Sequence, residues 1–551
     1  MKKRFLTTLF AAPLVATPVL GVCSCGNNDN QVYQELRESM INNFLEWCKH
    51  PHPTYYWGPL NKYLTEWAEK RGWEVHRDEY FKETAQAEWP ADIKDYYGNI
   101  WFDVPATKGY ENYPLTILQT HMDMVIDGMT YEEAKTTPVK PVIDKEKDII
   151  TTEGQKTSLG ADDGAGSCIA LALLDSDKVA HGPLRMLITA DEEDGMLGAN
   201  VLDPAALEGA KYLMNIDGDH LGYIVNSSGG MRAFWYALNG ADTDKVTTVD
   251  INCTQMVSIK CTGLRGGHSA ANIIGHANAL KCVLEVIDKS NIITNDSTFQ
   301  LISATTDSHV TNAIPAEVTI KFATSGEIYG TQTKINTAME QVAQKWKDLC
   351  PGDKDLAITA EYGLIDTTAK ALSSDFSKTF NRFMNWYDFG VLQWIPGKEN
   401  EAPATSQNLG PLTIDCTKEN IDDVLLFGSS SRSCYEDKLE GMEKYIKAHS
   451  DSVLGEGHYN LYADNPPYQP VEVNPMRDAI EKGYEYADVN WKLIDEHGGL
   501  EISAFAKQRP DLHLVSVGPQ LADWHSKHET LFLSSVIPTL KAIAHTLTLL
   551  K

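Results

Sequence analysis

Three apolar runs in the first half of the chain each stop at a carboxylate or a histidine. "PLTILQTHMDMV" (114–125) carries His121 and Asp123. "PLRMLITADEE" (183–193) runs into Asp191, Glu192, Glu193 and Asp194, and "YLMNID" (212–217) stops at Asp217. Between them, "GAGSCIALALLDS" (164–176) has helical spacing. Near-continuous apolar strands alternating with helices imply an α/β sheet buried on both faces. In such sheets the carboxyl edge of the strands is where ligands bind. The expected catalytic core is therefore a mixed β-sheet covered by helices on both faces.

At 551 residues the chain is too long for one ordinary domain. Helices are expected over 33–49 and 59–71, and a strand over "GNIWFDV" (98–104). After about residue 230 the texture changes to "TQMVSIKCTGLRGGHS", "HANALKCVLEVIDKS", "TFQLISATTDS" and "AEVTIKFAT". This reads as an α+β insertion over 231–458. The core is then discontinuous, 26–230 and 459–551, and the second piece closes with "LHLVSVGPQL" and a helix in "SSVIPTLKAIAHTLTLL".

The formal net charge of -28 argues against nucleic-acid backbones and anionic membranes as partners. The start, "MKKRFLTTLFAAPLVATPVLGVCSC" (1–25), has a basic head, an apolar stretch and small residues, the pattern of a secretory signal. Pro13 and Pro18 weigh against a membrane-spanning anchor. "VCSCGNND" is similar to a lipoprotein cleavage site with Cys25 as the lipidated residue; cleavage without lipid is the competing reading. The expectation is an exported protein of a Gram-negative bacterium, periplasmic or anchored as a lipoprotein. The eight later cysteines form no CxxC pair, and most are expected to be buried apolar side chains, with one or two disulfides left open.

His121 and Asp123 lie two apart on a strand and so share a face. A histidine can bind a metal while a carboxylate behind it fixes its orientation. "SLGADDGAGS" (158–167) sets Asp162 and Asp163 in a glycine-rich turn before a helix, where capping is the ordinary use of an aspartate. The four successive acids 191–194 repel each other unless a positive charge is near, or unless an exposed loop solvates them. Near the C-terminus "DWHSKHETL" offers His525, His528 and Glu529. His, Asp and Glu together suit a pair of zinc ions, or manganese or cobalt. Two metals roughly 3.5–4 Å apart need a bridging carboxylate.

The ordered series HMD, GADDGAG, EEDG, NIDGD, GGHS and a late histidine resembles the cocatalytic zinc exopeptidases related to carboxypeptidase G, peptidase T and peptidase D, and most nearly the aminoacyl-histidine (Xaa-His) dipeptidases. The likeness runs from about residue 35 to the C-terminus and includes "CKHPHPT", "GNI", "TNAIPAE" and "HLVSVGP". It implies two zinc ions per chain. His121 and Asp217 would hold one, Glu193 and His525 the other, with Asp162 bridging. Asp123 would steer His121. Glu192 would be the general base on the water held between the metals, later returning a proton to the leaving amine. The insertion would be a lid and dimerisation domain, giving a homodimer. Its His268 would stabilise the oxyanion, and Asn312 and Arg432 would hold the substrate backbone and C-terminal carboxylate. Asp163 is a minor departure from that pattern. Asp219 and His220 are further departures that could alter metal preference, and His528 lies within reach of the site. The implied activity is hydrolysis of a short peptide substrate, an Xaa-His dipeptide. The alternatives are an exported tripeptidase, an N-acyl amino acid deacylase, a lipoprotein that only binds peptides, and an outer-membrane structural protein.

Overall fold

The computed structural model describes residues 26–237, 248–294, 297–325, 327–365, 368–418 and 424–551. The leader and Cys25 lie outside the described residues. The catalytic sheet has six strands in the spatial order His76–Arg77, Ile100–Val104, Leu184–Thr189, Leu115–His121, Ala210–Asn215 and His513–Ser516. Leu115–His121 pairs in parallel with Leu184–Thr189 and with Ala210–Asn215, and His513–Ser516 extends the parallel set. Ile100–Val104 runs antiparallel to Leu184–Thr189, so the sheet is mixed.

Both faces of this sheet are buried, and the period of two in the strands explains how. Leu118, Met186, Met214 and Val515 belong to one core, and their neighbours Ile117, Leu187, Leu213 and Leu514 to another on the opposite face. The first core is roofed by helices Gly26–Trp47, Ala161–Leu174, Pro475–Tyr486 and Val536–Leu547, which contribute Phe44, Trp47, Ile169, Tyr484 and Leu540. The second is closed by helix Ile502–Gln508 through Ile502 and Phe505. Complete burial of each such side chain contributes about 1.5–3 kcal/mol.

Strands between Gly230 and Asn465 build a second, nine-stranded sheet. Its first half joins Ala357–Leu364, Gln255–Thr262, Val318–Thr324 and Phe299–Thr306; its second joins Pro403–Asp415, Leu425–Ser433, Gly230–Ala237 and Tyr459–Asn465, with the ninth strand, Gly390–Trp394, paired to Pro403–Asp415. Helices Ala279–Lys289 and Ile328–Leu349 pack with the first half and Glu436–Leu454 with the second, while Ser374–Trp386 spans the two, on Phe299–Thr306 and on Phe427, around a core of their own. A four-stranded sheet places the hairpin Leu521–Ala522/Thr530–Phe532 beside Ile149–Thr152. The eight cysteines in the described region are free thiols, and seven of them are buried. Among the described residues no helix is long and apolar enough to cross a membrane.

Candidate metal centre and active site

Register brings the charged strand ends together. His121 stands opposite Thr189, and Gln119 opposite Asn215, so the segments that follow these strands leave the sheet at one edge. The helix Ala161–Leu174 packs on the central strand and delivers its first turn to that edge. The hairpin carrying His525 reaches it from the other side. His525 and Asp191 both have positive φ, +60° and +51°, a conformation rarely adopted by residues other than glycine and one that clusters at functional sites.

The two aspartates of the glycine-rich turn divide the readings made from sequence. Asp163 does what a helix-start aspartate ordinarily does: its Oδ1 accepts the N–H of Gly166 at 3.1 Å. Its Oδ2 accepts the N–H of His121 at 3.4 Å, so this buried residue braces the strand end. Asp162 makes no cap. Its Oδ1 lies 3.2 Å from His121 Nε2 and its Oδ2 lies 3.2 Å from His525 Nε2. Asp217 Oδ1 is 3.5 Å from His121 Nε2, and Glu193 Oε2 is 2.9 Å from His525 Nε2. The donors thus form two triads that share Asp162. Among the described residues, His121, Asp162 and Glu193 form the one group of three or more whose ligand atoms all lie within 4.8 Å of one another.

The electrostatics of this arrangement suit a bound cation. Burial drives the carboxyls of Asp163, Glu192 and Asp217 well above the ordinary range and that of Glu193 to about 7. Asp162, although buried, is held below it by hydrogen bonds to His121 and His525. Among the described residues no lysine or arginine pairs with any of these acids. Glu193 Oε1 is buried without a hydrogen-bond partner. Uncompensated buried charge of this kind is costly unless paired or metal-bound, and the oxygen–nitrogen donor set fits hard to borderline divalent ions.

The supporting contacts differ from those anticipated. His121 Nδ1 lies 3.0 Å from the backbone carbonyl of Asp123, which orients the ring; the nearest Asp123 carboxylate oxygen is 3.6 Å away. The Asp123 side chain instead accepts the backbone N–H of Glu192 at 2.9 Å and of Glu193 at 3.4 Å. Glu529, noticed in the sequence but given no role, accepts four successive N–H groups. Leu159 and Gly160 donate to its Oε2 at 2.7 and 2.9 Å, Ala161 and Asp162 to its Oε1 at 2.8 and 3.1 Å. The only cue would have been an acid close behind His525. Asn99 of "GNI" accepts the N–H of Ala190 at 2.9 Å and donates to Gly198 O at 2.9 Å, pinning both ends of the acidic loop. His52 of "CKHPHPT" is buried, takes the Trp47 indole N–H at 3.2 Å and backs Gly160.

A cavity of 460 Å³ opens over the cluster, lined by Asp162, Glu192, Glu193, Asp217, His525 and, from the inserted segment, His268. His268 enters from the same chain. It sits opposite Ala313 in a two-residue strand pair, and its Nε2 is 3.3 Å from Asn312 Nδ2. Its Nδ1 accepts the N–H of Ala270 at 3.3 Å, which leaves the proton on Nε2; the Asn312 amide then meets that proton with its oxygen, Nδ2 and Oδ1 exchanged. The surrounding protein, Arg432 and His525 all depress its pKa, so the ring is a neutral donor. Arg432 is buried on strand Leu425–Ser433 with Nε unpartnered, and among the described residues it forms no ion pair. Glu496, on the cavity wall, is the acid that acts on it electrostatically. Asp219 also lines the cavity, and His220 pairs with it at 2.8 Å while stacking on Tyr223. Neither belongs to the metal triads. His528 is exposed, and its N–H goes to Ser526.

Residues 117–549 match peptidase family M20/M25/M40. The chain is 29% identical over 512 residues to the cytosol non-specific dipeptidase of Escherichia coli K12, covering 90% of this chain and 93% of that one. Its fold is similar to that of the aminoacylhistidine dipeptidase of Vibrio alginolyticus, with a TM-score of 0.74 at 24% identity, covering 93% of this chain and 96% of the other. With a match spanning most of its length and a donor set built for cations at the sheet edge, the chain belongs to peptidase family M20/M25/M40 and is a metal-dependent peptidase.

Proposed function

We propose that this protein hydrolyses dipeptides, of the Xaa-His type, at a centre holding two zinc ions. The observation that carries the reading is Asp162, whose two oxygens each face a different histidine at 3.2 Å. The dipeptidase names of the E. coli and Vibrio relatives support the substrate class. His121, Asp162 and Asp217 would hold one ion, and Asp162, Glu193 and His525 the other. Bound there, the ions would supply Lewis-acid polarisation of the scissile carbonyl and an acidified water.

The chain's own residues do the rest. Glu192 takes the proton from the attacking water and returns it to the leaving amine. Asp123 holds the backbone that presents Glu192. His268 donates its Nε2–H to the developing oxyanion, with Asn312 steadying the ring. Arg432 has a buried, unpartnered guanidinium nitrogen suited to the substrate's C-terminal carboxylate. Its recruitment limits the enzyme to short peptides. The basic, apolar leader supports export and lipid attachment at Cys25, which metabolic labelling with palmitate would test.

The test is metal content and turnover on the same sample. Purified protein is assayed against Xaa-His and other dipeptides, a tripeptide and N-acetyl amino acids, with Glu192→Gln as control. Two zinc ions per chain and Xaa-His cleavage, lost in the control, support the reading. Cleavage of the tripeptide or acyl amino acids alone overturns the substrate class.

A further inference from the structure

A second cavity, of 390 Å³, lies behind the acidic loop and takes no part in the mechanism above. Its walls are aromatic rings, Trp57 and Phe81 buried and Trp89 half-buried. Trp57 meets Trp89 edge-on at 4.8 Å and Phe81 at 5.5 Å. Gly58 makes this possible, since a Cβ there would lie 2.7 Å from the Trp89 ring. The rim is formed by three tyrosines that remain exposed although folded around a pocket: Tyr55 at 53%, Tyr80 at 58% and Tyr131 at 40%. Rings left uncovered around a formed cavity mark a place where apolar ligand surface is missing.

Three charged side chains line the cavity, Asp191, Lys135 and Glu88, and they define what can enter. Asp191 lines the cavity and is buried. Its Oδ1 accepts both the Tyr55 N–H at 2.6 Å and the Trp57 indole N–H at 2.8 Å, and among the described residues no donor is bonded to Oδ2. A carboxylate in the wall rejects anions. Lys135 already occupies the cationic position, its Nζ 4.5 Å over the Tyr131 ring and 2.8 Å from Glu132. Lys135, which also lies 5.7 Å over the Tyr56 ring, answers the exposed Glu88 at the mouth, so Asp191 is the one unmatched charge in the lining. That lining suits a neutral planar ring able to stack on the aromatic walls and to donate one N–H to Asp191.

We propose that this aromatic cavity is a binding site, separate from the catalytic cleft, for a neutral N–H heteroaromatic ring such as indole. It stands independently of the dipeptidase reading. The test is isothermal titration of the zinc-loaded protein with indole and with 1-methylindole, which has the same ring without the N–H. Saturable binding of one indole per chain is expected, with 1-methylindole weaker by about tenfold, the worth of one hydrogen bond. Trp89→Ala should weaken indole by at least about tenfold. Tyr131→Ala should do likewise without endangering the fold, because that ring is largely exposed. His268→Ala, in the other cavity, should leave indole binding unchanged. No saturable binding, equal affinity for the two rings, or loss of binding in His268→Ala overturns the proposal.

Discussion

Glu529 accepts the backbone N–H of Asp162 at 3.1 Å, and so a residue four positions after His525 holds the one on which both histidine–carboxylate triads converge. The same carboxylate takes the three preceding N–H groups. Replacing it with glutamine sets an NH₂ group against a row of donors. Glu529→Gln is expected to lower metal affinity by about 10–100-fold, the usual effect of removing a residue that orients a ligand. Chelator competition measures this directly, and turnover at saturating zinc should recover much of the loss.

Asp123 gives a sharper test, because two roles predict different outcomes. Its carboxylate holds the backbone of Glu192 and Glu193, while its carbonyl orients His121. Asp123→Asn keeps the carbonyl. The expected result is a fall in kcat of about 100-fold through misplacement of Glu192, with zinc stoichiometry unchanged. Loss of one zinc ion per chain would instead show that the side chain acts on His121.

Glu192→Gln removes the proton acceptor without removing a metal donor. A loss of about 10²–10⁴-fold in kcat is expected, the range for general acid–base catalysis. Two zinc ions per chain should persist by elemental analysis.

Acid sensitivity is expected from His497. Burial, assisted by the charge of Arg432, depresses its pKa to about 3, and its Nε2 is 2.6 Å from Ser406 Oγ. The folded value lies below the unfolded value of about 6.5. The neutral form is therefore favoured in the fold, and the stability it contributes is present above pH 6.5 and lost as pH falls toward 3. At pH 5 the cost is about 2 kcal/mol. Urea midpoints at pH 7 and pH 5 should differ less in His497→Gln than in the parent protein.

Gly166 tests how closely the helix must approach the sheet. A Cβ there would lie 2.1 Å from Ile216 O and 2.2 Å from Asp163 Oδ1. Gly166→Ala is expected to destabilise the protein by about 1–3 kcal/mol, as overpacking does. It should also weaken metal binding, since Asp217 follows Ile216. A melting temperature and a zinc titration check both.

Much of this site was legible in the sequence because the fold obeys a simple rule. Parallel strands buried on both faces collect their polar residues at one end, so His121, Glu193 and Asp217 could be read as neighbours from the ends of apolar runs. His268 and Asn312 were likewise singled out, and the strand pair beside Ala313 brings them together. What stayed hidden were contacts decided by distant chain segments. Glu529 meets Leu159 across 370 residues, and no local pattern marks a carboxylate that will receive four loop N–H groups. Asp123 was placed on the correct face of its strand, but which of its oxygens serves His121 is a matter of backbone direction, invisible to spacing. The inserted sheet also begins and ends slightly beyond the texture change, at Gly230 and Asn465, because strand pairing rather than composition sets its limits.

Strand His513–Ser516 completes the sheet whose other five strands all lie before residue 216, and the whole inserted segment lies between them in the chain. A ribosome therefore emits the donors His121, Asp162, Glu193 and Asp217 long before His525. Until His525 and Glu529 emerge, the second triad lacks its histidine and the Asp162 turn lacks the carboxylate that holds it. The order of synthesis thus acts as a safety catch: a fragment that stops short of His525 carries half a centre.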